Sequence, residues 1–155
     1  MTPAINTLKK LKIKHQIHSY EHDENHASFG LEAAEKLNVA AQRVFKTLVV
    51  KLDSGALAVA VLPVDKMLSM KLIAKALSAK KAEMADKLEV QRSTGYVLGG
   101  VSPLGQKKRL KTVIDASAEQ EQTIYVSAGK RGLEIELSSQ DLALATQAKV
   151  VQIIS

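Results

Sequence analysis

A glycine-rich turn followed by cations is the stretch best suited to chemistry. Segment 95–111 carries four of the eight glycines, and Gly99 and Gly100 stand side by side. Because glycine has no Cβ, the main chain there can adopt positive φ and a ligand can approach it closely. Successive N–H groups of such a turn can converge on a carbonyl oxygen or a phosphate. An ordinary turn on a basic surface is the alternative.

Positive charge follows this turn. Lys107, Lys108 and Arg109 succeed one another without an acid, and Lys130 and Arg131 form a second basic pair in the turn 128–132. The chain has a formal net charge of +6. An excess of this kind indicates an anionic partner, and nucleic acid is the obvious candidate. A basic protein without such a partner remains the alternative.

Lys46 occupies an unusual position in an apolar segment. Segment 44–52 has the alternation of a strand, which places Lys46 on one face with Leu48 and Val50. An ammonium there is costly unless it reaches water or a ligand at the strand end. We interpret Lys46 as part of a pocket wall that holds a phosphate or carboxyl-derived group, and a lysine near the strand end whose ammonium reaches water is the alternative. Tyr20 and Phe29 can supply the apolar side of that pocket, although core packing also explains Phe29.

Other chemistries have weaker support. The chain has no cysteine, which excludes disulfides, thiolate zinc sites and an enzyme thiol nucleophile. Ser102 and Ser127 lie in glycine turns, but no signature pairs either with a base, so turn hydrogen bonding is the favoured role. Histidines cluster at 15, 18, 22 and 26 without the helical His-Glu-x-x-His spacing, and we expect no metal site.

Periodicity predicts one domain over residues 1–155, in the α/β or α+β class, with a mixed sheet of about seven strands flanked by helices. Strands are predicted within 15–20, 44–52, 56–62, 80–84, 111–115, 123–127, 133–137 and 150–154. Helices are predicted to begin at Thr2 and Pro3, to cover 30–38 after a cap at Ser28, to follow Asp65 or Ser69, to cover 86–92, and to follow Ser138 or Ser139. In 30–38 the predicted apolar stripe is Leu31, Ala34 and Leu37.

The N-terminus lacks an apolar signal core and no segment is long enough to span a bilayer, so a cytoplasmic protein without a membrane partner is expected. No cofactor fingerprint is present, and we expect no cofactor.

Several motifs together resemble one family. They are Met-Thr-Pro-Ala at 1–4, Tyr-Glu-His-Asp at 20–23, Val-Phe-Lys-Thr-Leu at 44–48, Ala-Lys-Lys-Ala-Glu-Met-Ala at 79–85, Gln-Arg-Ser-Thr-Gly-Tyr at 91–96, Gly-Gly-Val-Ser-Pro-Leu-Gly-Gln-Lys-Lys-Arg-Leu at 99–110 and Tyr-Val-Ser-Ala-Gly-Lys-Arg-Gly-Leu at 125–133. Over nearly its whole length the chain resembles the YbaK/EbsC-type aminoacyl-tRNA deacylases, relatives of the editing domain inserted in bacterial prolyl-tRNA synthetases.

The resemblance implies a free-standing enzyme with a barrel-like mixed sheet that removes cysteine mischarged onto tRNA(Pro), and possibly from tRNA(Cys). Prolyl-tRNA synthetase is the implied partner, DNA is not, and no metal is implied. The family's lysine falls on Lys46 and its glycine turn on Gly99 and Gly100. The implied pocket residues are Tyr20, Phe29, Thr47, Ser102, Ser127 and Glu134.

One pocket residue departs from the family pattern, and the resemblance also bears on the mechanism. Glu134 departs from the aspartate of close relatives, which keeps the charge but lengthens the side chain. The resemblance implies that the thiol of the substrate attacks its own ester and releases a thiolactone. We expect the basic residues to contact the tRNA backbone; they are Lys107, Lys108, Arg109, Lys130 and Arg131. A non-catalytic module that binds tRNA or a synthetase is the alternative function.

Overall fold

A computed structural model describes residues 1–26 and 29–155, without the side chain of Phe29. The predicted cap Ser28 and the predicted pocket role of the Phe29 side chain therefore lie outside the described part. The helices are α1 (Pro3–Leu11), α2 (Phe29–Leu37), α3 (Met70–Ala76), α4 (Lys87–Thr94) and α5 (Ser139–Thr146). The strands are β1 (Gln16–Ser19), β2 (Phe45–Leu52), β3 (Leu57–Pro63), β4 (Ala82–Met84), β5 (Lys111–Asp115), β6 (Ile124–Lys130), β7 (Leu133–Leu137) and β8 (Lys149–Val151).

The strands form two sheets. One is antiparallel with the order β1-β7-β6, and the other is mixed with the order β4-β2-β3-β5-β8. In the mixed sheet β3 and β5, and β5 and β8, run parallel. This mixed α/β architecture confirms the predicted fold class, and the described part contains eight strands where about seven were expected.

The main core lies between the sheets. Val59 and Val61 of β3 meet Val126 of β6 and Ile135 of β7 in one buried cluster, which α1 closes through Leu8. Period-two alternation directs these residues to the same side of each sheet. The opposite face of the mixed sheet buries a second cluster that includes Ile73 of α3.

Short polar side chains begin three of the helices. The hydroxyl of Thr2 accepts from the N–H of Ile5 at 3.3 Å, and that of Ser69 accepts from the N–H of Leu72 at 3.1 Å. Ser138 caps α5 in the same way. The capping residues are thus Ser69 rather than Asp65, and Ser138 rather than Ser139, because only their hydroxyls reach a free N–H of the first turn.

Two predicted details differ. In α2 the buried residues include Glu32, Ala33 and Ala34, whereas Leu31 is 37% exposed, because the carboxylate of Glu32 turns inward to bind His22. The last strand ends at Val151, and Ile154 instead forms an isolated antiparallel bridge with Leu68. No helix of the described residues is both long and apolar enough to cross a membrane.

Candidate active site

A cavity of about 350 Å³ opens where β2, the three-stranded sheet, α2 and the glycine turn meet. Its walls come from segments far apart in the sequence. The lining residues are Tyr20, Gly30, Val44, Phe45, Lys46, Thr47, Leu48, Leu98, Gly99, Val101, Ser127, Arg131 and Glu134. The fold therefore brings together the predicted residues Lys46, Gly99 and Glu134.

Lys46 supplies a positive charge to this wall. Burial lowers the pKa of its ammonium below the usual 10.5, and the nearby charge of Asp65 partly opposes that effect. Within residues 1–26 and 29–155, no carboxylate lies within salt-bridge distance of its ammonium. The cation thus faces the cavity without an ion-pair partner from the described protein.

The two glycines of the turn differ in position and in hydrogen bonding. Gly99 lines the cavity and has a φ of 86°, as the third position of a type II turn requires. The N–H of Gly100 donates to the carbonyl of Val97 at 3.0 Å. The prediction that Gly100 presents an N–H to the ligand is therefore wrong. Its role is close packing, because a Cβ there would lie 2.9 Å from the Cα of Lys130.

The hydroxyl residues also separate into two groups. Ser102 is fully buried, does not line the cavity, and accepts through its hydroxyl from the N–H of Leu104 at 3.2 Å. The predicted pocket role of Ser102 is wrong, because this bond holds its side chain inside the loop. Ser127 lines the cavity and accepts from the N–H of Gly129 at 3.1 Å. Thr47 also lines it, and its buried hydroxyl has no partner among the described residues.

Glu134 is the acid of the cavity. It lies opposite Ser127 in the antiparallel register of β6 and β7, and it is only 7% exposed. Burial raises the pKa of its carboxyl from the usual 4.5 to about 8. Burial, together with the charge of Glu134, also raises the pKa of the Tyr20 phenol to about 12. Burial therefore favours the protonated, neutral form of both groups.

The predicted nucleic-acid contacts occupy different places. Arg131 reaches the cavity and donates to the carbonyl of Leu98 at 3.2 Å, while Lys130 is exposed beside it. Lys107, Lys108 and Arg109 are exposed as well. The latter two line a separate cavity of about 400 Å³ that also contains Lys10 of α1. Lys108 and Arg109 thus lie beside α1, and they do not line the cavity that contains Lys46.

The histidines are engaged separately. His15 contacts the Ile13 carbonyl at 2.7 Å. The other three pair with different carboxylates: His18 with Glu136, His22 with Glu32 and His26 with Glu35. Among the described residues, no group of three potential ligands converges on a point. The His22–Glu32 pair instead holds the chain after Tyr20 against α2.

Sequence reasoning missed Gly30 and the wall position of Arg131. A Cβ on Gly30 would lie 2.3 Å from the Cγ1 of Val64, so α2 approaches the mixed sheet closely at the cavity. The only available signal was a glycine inside a predicted helix, which often marks close packing. For Arg131, the tight turn between two strands was the signal, but the partner segment 97–101 is distant in sequence.

Comparisons with known proteins agree with this architecture. The profile of the aminoacyl-tRNA editing domain matches residues 24–144. The chain is 36% identical over 152 residues to the Enterococcus faecalis protein named "Putative Cys-tRNA(Pro)/Cys-tRNA(Cys) deacylase EbsC", covering 98% of this chain and 92% of that protein. It is 29% identical over 119 residues to Bacillus subtilis YwhH, covering 77% and 75% of the two chains.

A solved structure shares the fold. The crystal structure of "a putative trans-editing enzyme for prolyl tRNA synthetase" matches with a TM-score of 0.87 and 17% identity, covering 99% of this chain and 95% of that one. The family profile spans most of the chain, and the E. faecalis relative matches nearly all of it. As its motifs predicted, the protein belongs to the aminoacyl-tRNA editing domain family.

Proposed function

We propose that the protein is an aminoacyl-tRNA deacylase that removes cysteine mischarged onto tRNA(Pro). The acylated end of the tRNA enters the cavity between Lys46, Gly99 and Glu134. Editing of this kind is needed because an active-site pocket discriminates poorly between small side chains of similar size. The E. faecalis relative carries that substrate in its name together with Cys-tRNA(Cys), and the same ester on tRNA(Cys) is the second candidate substrate.

The observation that carries this proposal is the half-buried ammonium of Lys46. It is partly desolvated and has no carboxylate within salt-bridge distance in the described part of the protein. A charge in that state is stabilised when an anion arrives. The terminal phosphate of the tRNA is such an anion, and lysine binds phosphate as a point charge. Lys46 thereby fixes the position of the ester.

The reaction that suits this cavity uses the thiol of the substrate. The cysteine sulfur attacks the ester carbonyl carbon, a C–S bond forms, and the ester C–O bond breaks. The ribose oxygen leaves and takes up the proton that the thiol gave up, so the products are a thiolactone and the free tRNA end. The hydroxyls of Thr47 and Ser127 have no base bonded to them in the described structure, which favours substrate thiol over enzyme hydroxyl as nucleophile.

The main chain and the basic surface complete the proposal. The N–H of Gly99 has no acceptor among the described residues, and we assign it to the developing oxyanion or the terminal ribose. Arg131 and Lys130 at the entrance, and Lys107, Lys108 and Arg109 beyond it, contact the tRNA backbone. Prolyl-tRNA synthetase is the proposed partner that supplies the mischarged tRNA.

A panel of mischarged tRNAs tests this function. Purified protein is incubated with Cys-tRNA(Pro), Cys-tRNA(Cys), Ser-tRNA(Pro) and Ala-tRNA(Pro), and loss of the aminoacyl bond is followed against an uncatalysed control. We expect rapid loss of cysteine and little loss of serine, which has the same shape without the thiol. Serine removal at the rate of cysteine would refute the thiol mechanism. Stability of every ester would refute the deacylase function itself.

A further inference from the structure

Glu134 is a buried acid that has no hydrogen-bond or ion-pair partner in the part of the chain that the structure describes. It has neither a hydrogen bond nor an ion pair within residues 1–26 and 29–155, although it lines the cavity and is 7% exposed. A buried polar group in a native protein nearly always has a partner. The absence of one at a cavity wall indicates that the partner arrives with the ligand.

Among the described residues that line the cavity with Glu134, two are cations and several others are polar. Tyr20 at the end of β1, Lys46 on β2 and Arg131 on the β6–β7 turn line the same cavity. His18 is its cross-strand neighbour on β1, but the imidazole of His18 bonds Glu136 at 2.9 Å. Neither cation is within salt-bridge distance of Glu134 in the described structure. The carboxyl is therefore not engaged by either cation and can pair with a cation from the substrate.

The substrate supplies one cation close to its ester. An aminoacyl-tRNA carries an α-ammonium one carbon from the ester carbonyl and phosphates beyond the ribose. If the phosphate lies at Lys46, the ammonium belongs at the wall that carries an acid.

We infer that Glu134 is the receptor for the α-ammonium of the aminoacyl group, and that the protein thereby spares N-blocked esters such as peptidyl-tRNA. This inference rests on the proposed function. When an ammonium binds, the carboxyl of Glu134 loses its proton to solvent and becomes the carboxylate of an ion pair. An N-acyl group has no charge, so it leaves Glu134 protonated and adds bulk at the wall. The site thus selects for a free amine.

The test measures binding separately from turnover. The probes are two amide-linked analogues of 3′-cysteinyl-adenosine, one with a free amine and one N-acetylated, neither of which has an ester to cleave. Dissociation constants at pH 7 come from amide chemical shifts in NMR titrations. We expect the free amine to bind wild type at least 10-fold more tightly than the N-acetyl analogue. Glu134→Gln should abolish that preference, whereas Glu134→Asp should retain part of it.

Glu83→Gln is the matched control, because Glu83 is an exposed acid on the edge strand β4 and should leave the preference unchanged. Equal affinities in wild type, or an undiminished preference in Glu134→Gln, would overturn the inference. Turnover of Cys-tRNA(Pro) is assayed in parallel. Failure of the wild-type protein to cleave Cys-tRNA(Pro) would refute the deacylase function. Cleavage by a wild-type protein that binds both analogues equally would refute only the role of Glu134.

Discussion

Glu134 and Glu136 lie two residues apart on the same face of β7, yet their carboxyl groups have opposite electrostatic environments. Burial raises the pKa of Glu134 to about 8. Burial also acts on Glu136, but hydrogen bonds from Thr123 and His18 outweigh it and lower the pKa of Glu136. Glu136 is thus held by hydrogen bonds within the protein, whereas Glu134 has none among the described residues.

This difference predicts opposite pH dependences of stability. The carboxyl of Glu134 binds its proton more tightly in the folded protein than in the unfolded chain. The stability that this protonated carboxyl contributes is therefore lost as pH rises from 4.5 to about 8. In that window the free energy of unfolding of Glu134→Gln should rise relative to wild type, by up to about 1.4 kcal/mol per pH unit. Urea unfolding at several pH values from acidic to mildly alkaline measures it.

Glu136→Gln is the control for that experiment. Because its folded-state pKa is lowered, Glu136 stabilises the protein above the ordinary carboxyl range and loses that effect as pH falls. Its replacement should cost roughly 1–3 kcal/mol at neutral pH, since it removes charged hydrogen bonds. A pH-independent difference between wild type and Glu134→Gln would contradict the assignment of a buried neutral acid.

Lys46→Met should remove activity and preserve the fold. The methionine fills similar space without the partly desolvated ammonium, so the free energy of unfolding should stay equal or rise by about 1 kcal/mol. If Lys46 binds the terminal phosphate, kcat/KM for Cys-tRNA(Pro) should fall at least ~100-fold. Lys51→Met on the same strand is the control, because Lys51 makes only a half-exposed ion pair with Glu89. Comparable turnover in the two variants would remove Lys46 from the mechanism.

Gly105→Ala should be strongly destabilising. Gly105 has a φ of 67°, and a Cβ there would lie 2.5 Å from the main-chain carbonyl carbon of Pro3, where α1 crosses the loop. Backbone cannot move aside as a side chain can, so a loss of roughly 2–4 kcal/mol is expected. Gly55 is the control, because it has a φ of 92° and a Cβ there would meet no atom within 4 Å. Gly55→Ala should therefore cost only about 1 kcal/mol, from backbone strain. Thermal unfolding of the pair separates close packing from backbone strain, and equal losses would argue against the α1 contact.

The basic run should govern tRNA affinity. Changing Lys107, Lys108 and Arg109 together to Gln should raise KM for the tRNA and reduce the slope of log affinity against log salt by about 2–3, with kcat little altered. The control changes Lys71, Lys75 and Lys80 together to Gln. This variant removes the same amount of charge from exposed positions in and after α3. An equal effect of both triple variants would indicate net charge rather than a defined contact.

Much of the architecture could be predicted because it is encoded locally. Alternation in 44–52 identified strand β2, the turn at 128–132 indicated that β7 follows it, and candidate capping residues indicated where α1, α3 and α5 begin. An ammonium within an apolar alternation likewise identified Lys46 as exceptional. These features depend on residues within a few positions of one another, which is the range over which periodicity and capping act.

The cavity could be predicted only in part, because its walls meet through tertiary packing. The sequence alone determined the strand and helix pattern, the family and the residue types available for chemistry. Only the tertiary structure decided that Gly100 packs against Lys130, that Ser102 turns inward, and that Glu134 is buried while Glu136 is paired. The physical reason is that the burial and the hydrogen-bond partners of a side chain depend on which distant segment covers its face of the strand. Alternation places Glu134 and Glu136 on the same face of β7 and so cannot distinguish them.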